Sequence, residues 1–414
     1  QSLLPNPGEA LTGDGFGDAV ATTDDVAIVG ASGTGNFQGA AYVFALSGGS
    51  WSEEKKVTAG DGAAGDRFGY AVAMDSETFI VGAFSDDDGT NPTQGSAYVF
   101  LRRYDLDDDG LPDEWERSGI TVDVDDGINV GNTGGGIFID LPAMGADPLH
   151  KDIFVHADWM GPDPARPGLT FKPSFRAIQI VADSFAVAPV NNPDGKPGIN
   201  LHVDLGPQSI MDFVAGAAWD ARSAASEVPF QEVLGLNSTD DIWSDVDAIK
   251  ALHFGPARRS PVFRYALVGN RFAGRPETGC SCPTGQVTTL PDACAVTSSG
   301  VARGTPGTDF LVTLGYRDGG TLLQQAGTIM HELGHTLGLN HGGPSDDRIN
   351  FKPNYLSVMN YNFQFSGLLS ANGIQRMIDY STRKLDTLDE FNLDENVGIN
   401  DPDGHLTVWN LGTR

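Results

Sequence analysis

Positive charge is scarce in this chain. Lys and Arg number 26 against 55 Asp and Glu, for a formal net charge of −29 over 414 residues. Such acidity argues against nucleic acid or an anionic membrane as a partner. No apolar run of about 18 residues occurs, so no membrane-spanning helix is expected. Cysteine is rare too, and Cys280, Cys282 and Cys294 stand close together. They leave room for one short disulfide and a spare thiol. Cys294 with Cys280 or with Cys282 are the two pairings left open, since Cys280 with Cys282 closes a very tight loop. A zinc site of their own lacks a fourth ligand. What is plentiful is glycine, at 53 residues, and hydrophobic residues make up 40%. That composition predicts a β-rich, loop-rich protein with a substantial core, in two or three domains.

Histidine is also rare, at eight residues, yet three fall in the stretch His331-Glu-Leu-Gly-His-Thr-Leu-Gly-Leu-Asn-His341. On a helix, His331 and His335 lie one above the other and can offer two nitrogens to one zinc ion. Glu332 is one residue further round, within reach of a water at that ion. Gly338 can take the left-handed conformation that ends a helix. The chain then returns, and His341 becomes a third ligand. Three protein nitrogens and one open position are the pattern of a catalytic zinc site.

This stretch resembles the metzincin metallopeptidases, whose pattern is H-E-x-x-H-x-x-G-x-x-H followed by a methionine-containing turn. Ser357-Val-Met359-Asn-Tyr361 matches that turn. The resemblance covers roughly residues 320 to 365. It implies Met359 as an apolar floor beneath the ligands. It also implies a role at the zinc for Tyr361, as in the astacin and serralysin branches. The expected fold is α+β, with a twisted, mostly parallel sheet, a zinc helix and a small lower subdomain. The expected chemistry is peptide-bond hydrolysis with Glu332 as general base.

Residues 1–102 hold an internal repeat. Phe16-Gly-Asp-Ala-Val-Ala21 recurs 52 residues later as Phe68-Gly-Tyr-Ala-Val-Ala73, and Ile28-Val-Gly-Ala31 as Ile80-Val-Gly-Ala83. Ala41-Tyr-Val-Phe44 recurs as Ala97-Tyr-Val-Phe100. Each unit reads as a small antiparallel sheet. The motifs look like FG-GAP repeats, but two units are too few to close a propeller. Asp61, Asp66 and Asp86 to Asp88 are weak calcium candidates there.

Residues 103–145 read as a calcium-loop linker. Asp105, Asp107, Asp109, Asp113 and Glu116 occupy positions 1, 3, 5, 9 and 12 of a loop with Gly110 at 6, and Leu111 would lend its backbone carbonyl. With a strand before it, the loop resembles dockerin or thrombospondin type 3 repeats more than a paired EF-hand.

The peptidase domain is expected over 146–414. Ile153 to Trp159, Ile199 to Leu205, Phe263 to Val268 and Phe310 to Tyr316 read as strands, the last near the sheet edge. Ser174 to Ala188 reads as an amphipathic helix, with Phe175 among its inward residues. Residues 206 to 261 read as an insertion. A short helix is expected around Asp379-Tyr-Ser-Thr-Arg-Lys-Leu, and Asp394, Asn396, Asp401 and Asp403 as a surface loop. His150, His156, His202, His253 and His405 carry no metal spacing and read as ordinary polar or core residues. No leader of basic then apolar residues precedes Gln1, which reads as removed or as lying before the numbering. Zinc motif, acidity, Asp-rich loops and a disulfide together suggest a secreted enzyme with protein or peptide substrates. The competing reading is a calcium-dependent binding or adhesion module with a protease-like domain of little activity. The intact His331, Glu332, His335 and His341 argue against it. A non-peptidase zinc hydrolase is a further alternative. Oligomeric state is open.

Overall fold

In a computed structural model the chain divides into two units, Gln1–Tyr104 and Asp105–Arg414. The structure describes residues 2–6, 12–101, 105–123, 127–128, 136–273, 295–343, 349–370 and 376–385, with Ile399, Asp401, Pro402 and His405, less positions 25, 48, 76–77, 88–92, 214–215, 236–241, 255–258, 297 and 384. Cys280, Cys282, Cys294, Asp394, Asn396 and Asp403 lie outside the described residues.

The repeat in the first sequence segment is a repeat in structure. Phe16–Thr22, Val26–Ala31, Ala40–Ser47 and Ser50–Val57 form one antiparallel sheet; Phe68–Met74, Thr78–Ala83 and Ser96–Leu101 form another. Phe16 pairs with Ala31 and Val20 with Val29; Phe68 pairs with Ala83 and Val72 with Val81, with a register shift after the Phe in both sheets. Phe16 sets its ring edge-on to Tyr42 and Phe44, as Phe68 does to Tyr98 and Phe100. The two sheets meet through glycine. A β-carbon at Gly30 would stand 1.9 Å from the Gly69 carbonyl oxygen, and one at Gly69 would stand 2.1 Å from that of Ala40. The Tyr98 hydroxyl lies 2.7 Å from oxygens of both Asp61 and Asp86 and donates its single proton to one or the other. Those two carboxylates therefore anchor an aromatic side chain of the second repeat.

In the second unit Asp152–Met160 is buried along its whole length, as a strand with neighbours on both sides and cover on both faces must be. It pairs in parallel with Asn200–Asp204 and with Phe263–Gly269, and Glu227–Val228 extends its end. Phe263–Gly269 pairs in parallel with Asp309–Thr313, and Gly300–Ala302 closes that edge antiparallel. One face is covered by the helices Phe175–Ala186 and Leu322–Thr336. Both begin at a side-chain cap. Ser174 accepts from the Ala177 amide, and Thr321 with Gln324 forms a reciprocal capping box. A 15-residue helix is marginal by itself, so packing decides. Ala326, Ile329, Met330 and Leu333 share a core with Val155, Ala157, Ala266 and Val312.

The other face of the sheet and the flanking segments depart from several expectations. Residues 103–145 are not a linker where they are described. Leu111, Trp115, Ile120, Val122 and Ile139 are buried in one core with Phe154, Phe263 and Tyr265, because burying two large apolar groups of the loop outweighs leaving it free in water. The 206–261 segment, read as an insertion, is packed into the same core. Trp219 is fully buried there, and the helix Ile242–His253 lends Trp243, Val246 and Ile249 to the same core. Asp309–Thr313, expected near the sheet edge, lies one strand in, beside the edge strand Gly300–Ala302. Phe175, expected inward, is exposed at the first turn of its helix and stacks on Phe213 at 5.6 Å. Asp379 to Arg383 is not helical. Among the described residues no helix is long and apolar enough to cross a membrane.

Candidate metal centre

The long helix carries His331 and His335 one turn apart, with ring centroids 4.8 Å from each other. It ends at Thr336, and Gly338 takes φ +92° while the Leu339 amide returns to the Gly334 carbonyl at 2.9 Å. That left-handed step is what glycine permits without strain. It brings His341 back, so that its Nε2 stands 3.1 Å from His331 Nε2 and 3.0 Å from His335 Nε2. Nitrogens sharing a tetrahedral zinc lie about 3.3 Å apart, given Zn–N bonds of about 2.0–2.1 Å. The observed spacings approach that value.

The other ring nitrogens fix which atom is free. His331 Nδ1 is 2.9 Å from the Val358 carbonyl oxygen, and His335 Nδ1 is 2.8 Å from that of Leu339. A carbonyl only accepts, so each Nδ1 carries the proton and each Nε2 presents a lone pair. Burial, with the neighbouring imidazoles, lowers His331 to about 3 and His341 to about 4, and burial lowers His335 as well. All three are neutral near pH 7, the form that binds a metal. Lone pairs converging at this spacing repel one another, and a cation between them removes the repulsion. The donor set fits zinc.

Glu332 is 3% exposed and lies along the edge strand. A β-carbon at Gly300 would stand 2.7 Å from both its Cγ and its Oε1. Burial pushes its carboxyl well above the carboxylate range, which raises its proton affinity. Tyr361 opens the one-turn helix Tyr361–Gln364. Its ring stacks on His331 at 5.4 Å and lies 4.5 Å from His341. Burial, and then the Glu332 carboxylate, hold its hydroxyl above the usual range. It therefore stays a hydrogen-bond donor at neutral pH.

Met359 is fully buried. A β-carbon at Gly334 would come within 2.5 Å of its sulfur, and one at Gly327 within 1.7 Å of the Gln364 carbonyl oxygen. The turn thus lies flush against the helix face between the two ligands. Asn360, wholly buried, braces it by donating to the carbonyls of Lys352 and Tyr355 at 2.7 and 3.0 Å. Tyr380 donates to the Met330 carbonyl at 2.6 Å from the same side. Sequence reading missed Gly300, Gly327, Gly334 and Tyr380. Gly327 and Gly334 did carry a signal. Two glycines a heptad apart inside a helix each cost about 1 kcal/mol, which calls for a close neighbour on that face.

A second group of ligand-type side chains lies at the 105–116 loop. Oxygens of Asp105, Asp107 and Asp109 lie within 4.8 Å of one another, and so do those of Asp109, Glu116 and Asp152. Gly110 takes φ +95° at the tight turn. Asp105 accepts from the amides of Asp109 and Gly110, and Asp109 from that of Leu111. Asp113 is not drawn in. One of its oxygens accepts from the Leu106 amide and the other pairs with Arg117, both at 2.8 Å. Asp152, from the first strand of the sheet, stands in the group instead. Burial and the neighbouring carboxylates push Asp107 up to about 7 and Glu116 to about 9; burial above all lifts Asp109 to about 6. The remaining histidines fill polar or core roles, His156 against Asp158 and His202 against Asp152.

Residues 5–44 and 51–100 match the model of the FG-GAP repeat family. No curated protein matches the chain. The mixed α/β chain therefore opens with FG-GAP repeats, which account for its all-β first segment.

Proposed function

We propose that the second unit is a zinc-dependent endopeptidase of the metzincin kind. The carrying observation is the convergence of three imidazole Nε2 atoms beside a buried carboxyl and a phenol. His331, His335 and His341 would hold the ion. Zinc supplies a Lewis acid that acidifies water and polarises a carbonyl. Glu332 takes the proton of the attacking water and hands it to the leaving amine; its raised proton affinity suits it to hold that proton between the two events. Tyr361 donates its hydroxyl to the oxygen that becomes negative. Gly300–Ala302 offers a strand edge beside Glu332, where an extended peptide adds as a further antiparallel strand. The acidic surface suits an extracellular setting.

The FG-GAP repeats favour a second role, in binding a partner, alongside catalysis. Casein cleavage by wild type and Glu332→Ala, with and without a chelator in calcium-containing buffer, tests the peptidase reading. Cleavage by wild type alone, abolished by the chelator and restored by zinc, is expected. Wild-type rates in Glu332→Ala would end the assignment.

A further inference from the structure

Asp107 and Glu116 have no part in peptide hydrolysis, and both are nearly inaccessible, at 3% and 1% exposure. All four of their carboxylate oxygens are buried without a hydrogen-bond partner. One such oxygen carries a penalty of about 1–3 kcal/mol, and more when ionised. Four side by side point to a missing cation. We propose that a calcium ion binds here, in a site formed by the 105–116 loop and closed by Asp152 from the first strand of the large sheet.

The distances within each group fit calcium ligation. Calcium takes 6–8 oxygens at about 2.3–2.6 Å, so any two of its ligands lie no more than about 5 Å apart. The two groups of oxygens, each within 4.8 Å, share Asp109. Asp109 thus belongs with Asp105 and Asp107 of the loop and equally with Glu116 and Asp152. The donors are all oxygen, with neither nitrogen nor sulfur, which suits calcium over zinc.

Asp152 is built into place. Its amide donates to Asp109 Oδ2 at 2.7 Å, tying strand to loop directly. His202 Nε2 donates to its Oδ1 at 2.6 Å, and the Asp147 amide to its Oδ2 at 2.8 Å. Each of those oxygens keeps a second lone pair. His202 is itself held by stacking on Phe154 at 4.4 Å. An outer ring of donors that orients a ligand carboxylate is what metal sites require. Lys151, one residue before Asp152, donates its ammonium to the Asp108 carbonyl at 3.1 Å. Calcium in this site fastens the loop and the helix Asp113–Ser118 to the strand Asp152–Met160 of the large sheet. It acts on the folding of the second unit and contributes no atom to the histidine centre.

The test uses the full chain, stripped with a chelator and titrated with terbium. Trp115 is buried next to Glu116 and will sensitise the emission. Emission is expected, displaced by calcium and far less by the same concentration of magnesium. Asp107→Asn is expected to abolish it. Asp152→Asn should weaken calcium binding at least tenfold, and more than Asp113→Asn does. The opposite order would return the site to the loop alone and overturn the bridge. No emission, together with no calcium uptake by calorimetry, would overturn the site itself, and equal displacement by magnesium would overturn the choice of calcium. Hydrogen exchange on wild type needs no variant. Calcium should protect both 105–118 and 152–160, and protection of the loop alone would count against the proposal.

Discussion

Met359 and Gly334 touch so closely that a β-carbon at 334 would stand 2.5 Å from the methionine sulfur. The contact lies on the buried side of the helix, between the turns that carry His331 and His335. It sets how far the methionine turn stands from the ligands, and so where Val358 offers its carbonyl to His331.

Gly334→Ala should therefore act on metal affinity as well as stability. Alanine gains about 1 kcal/mol of helix propensity, whereas overpacking a core costs about 1–3 kcal/mol. The net effect is a modest loss of stability with weaker zinc binding. Gly327→Ala should be worse, since it meets a backbone carbonyl at 1.7 Å rather than a side chain. Thermal melts and zinc competition titrations on both variants would check the ranking. A Gly327→Ala protein that melts with wild type would contradict it.

Gly300→Ala separates catalysis from metal binding. Its β-carbon would sit 2.5 Å from the Leu311 carbonyl oxygen and 2.7 Å from Glu332 Oε1. Either the edge strand or the Glu332 side chain must move. Since misplacing a reacting group by about 1 Å can cost about a hundredfold, kcat should fall at least tenfold with zinc content unchanged. Metal analysis beside turnover would show whether both halves hold.

Tyr361→Phe keeps the ring on His331 and His341 and deletes only the hydroxyl. Removing one donor to a developing oxyanion costs about 100- to 1,000-fold in kcat. KM and zinc content should stay near wild type. An unchanged kcat would leave Tyr361 as a packing residue.

Asp204 gives a pH signature away from the centre. It is fully buried and pairs with Arg259 at 2.6 Å. Burial raises its carboxyl, but Arg259, the Ser223 hydroxyl and the Ala224 amide outweigh that and hold it below the ordinary 3.8. The folded value is depressed. Its stabilisation is thus complete above about pH 3.8 and is lost as pH falls through the folded value. Asp204→Asn should cost about 3 kcal/mol near neutral pH, because it strands a buried guanidinium. The gap between variant and wild type should narrow only below about pH 4. Denaturant melts from pH 7 to pH 3 measure it, and a gap that shrinks between pH 7 and 5 would disprove the linkage.

Local features proved legible where one short stretch of sequence decides them. The turn at Gly338 and the recurrence of Phe16 at Phe68 depend on neighbours in the chain, and both stand in the structure. What depends on distant partners did not show. Asp152 joins Asp109 and Glu116 only because the sheet carries it there. Gly300 matters only because the strand containing it runs beside Glu332. Spacing placed Asp113 among the loop ligands, whereas it stands in neither group of converging oxygens and accepts from Leu106 and Arg117 instead. A loop template cannot register that a neighbouring arginine competes for the carboxylate. Asp309–Thr313, expected near the sheet edge, stands one strand in from it, and the edge strand itself, Gly300–Ala302, did not show, since strand order is fixed by pairing and not by sequence order.

The acceptors for His331 and His335 are the main-chain carbonyls of Val358 and Leu339. Every amino acid supplies that oxygen. Positions 339 and 358 can therefore drift in identity while both imidazoles keep their aim, provided the backbone path survives. An aspartate or glutamine in the same role would be a single point of failure, removable by one codon change. Orientation of the ligands is thus buffered against mutation, and selection at this centre falls on the path of the turn rather than on its side chains there.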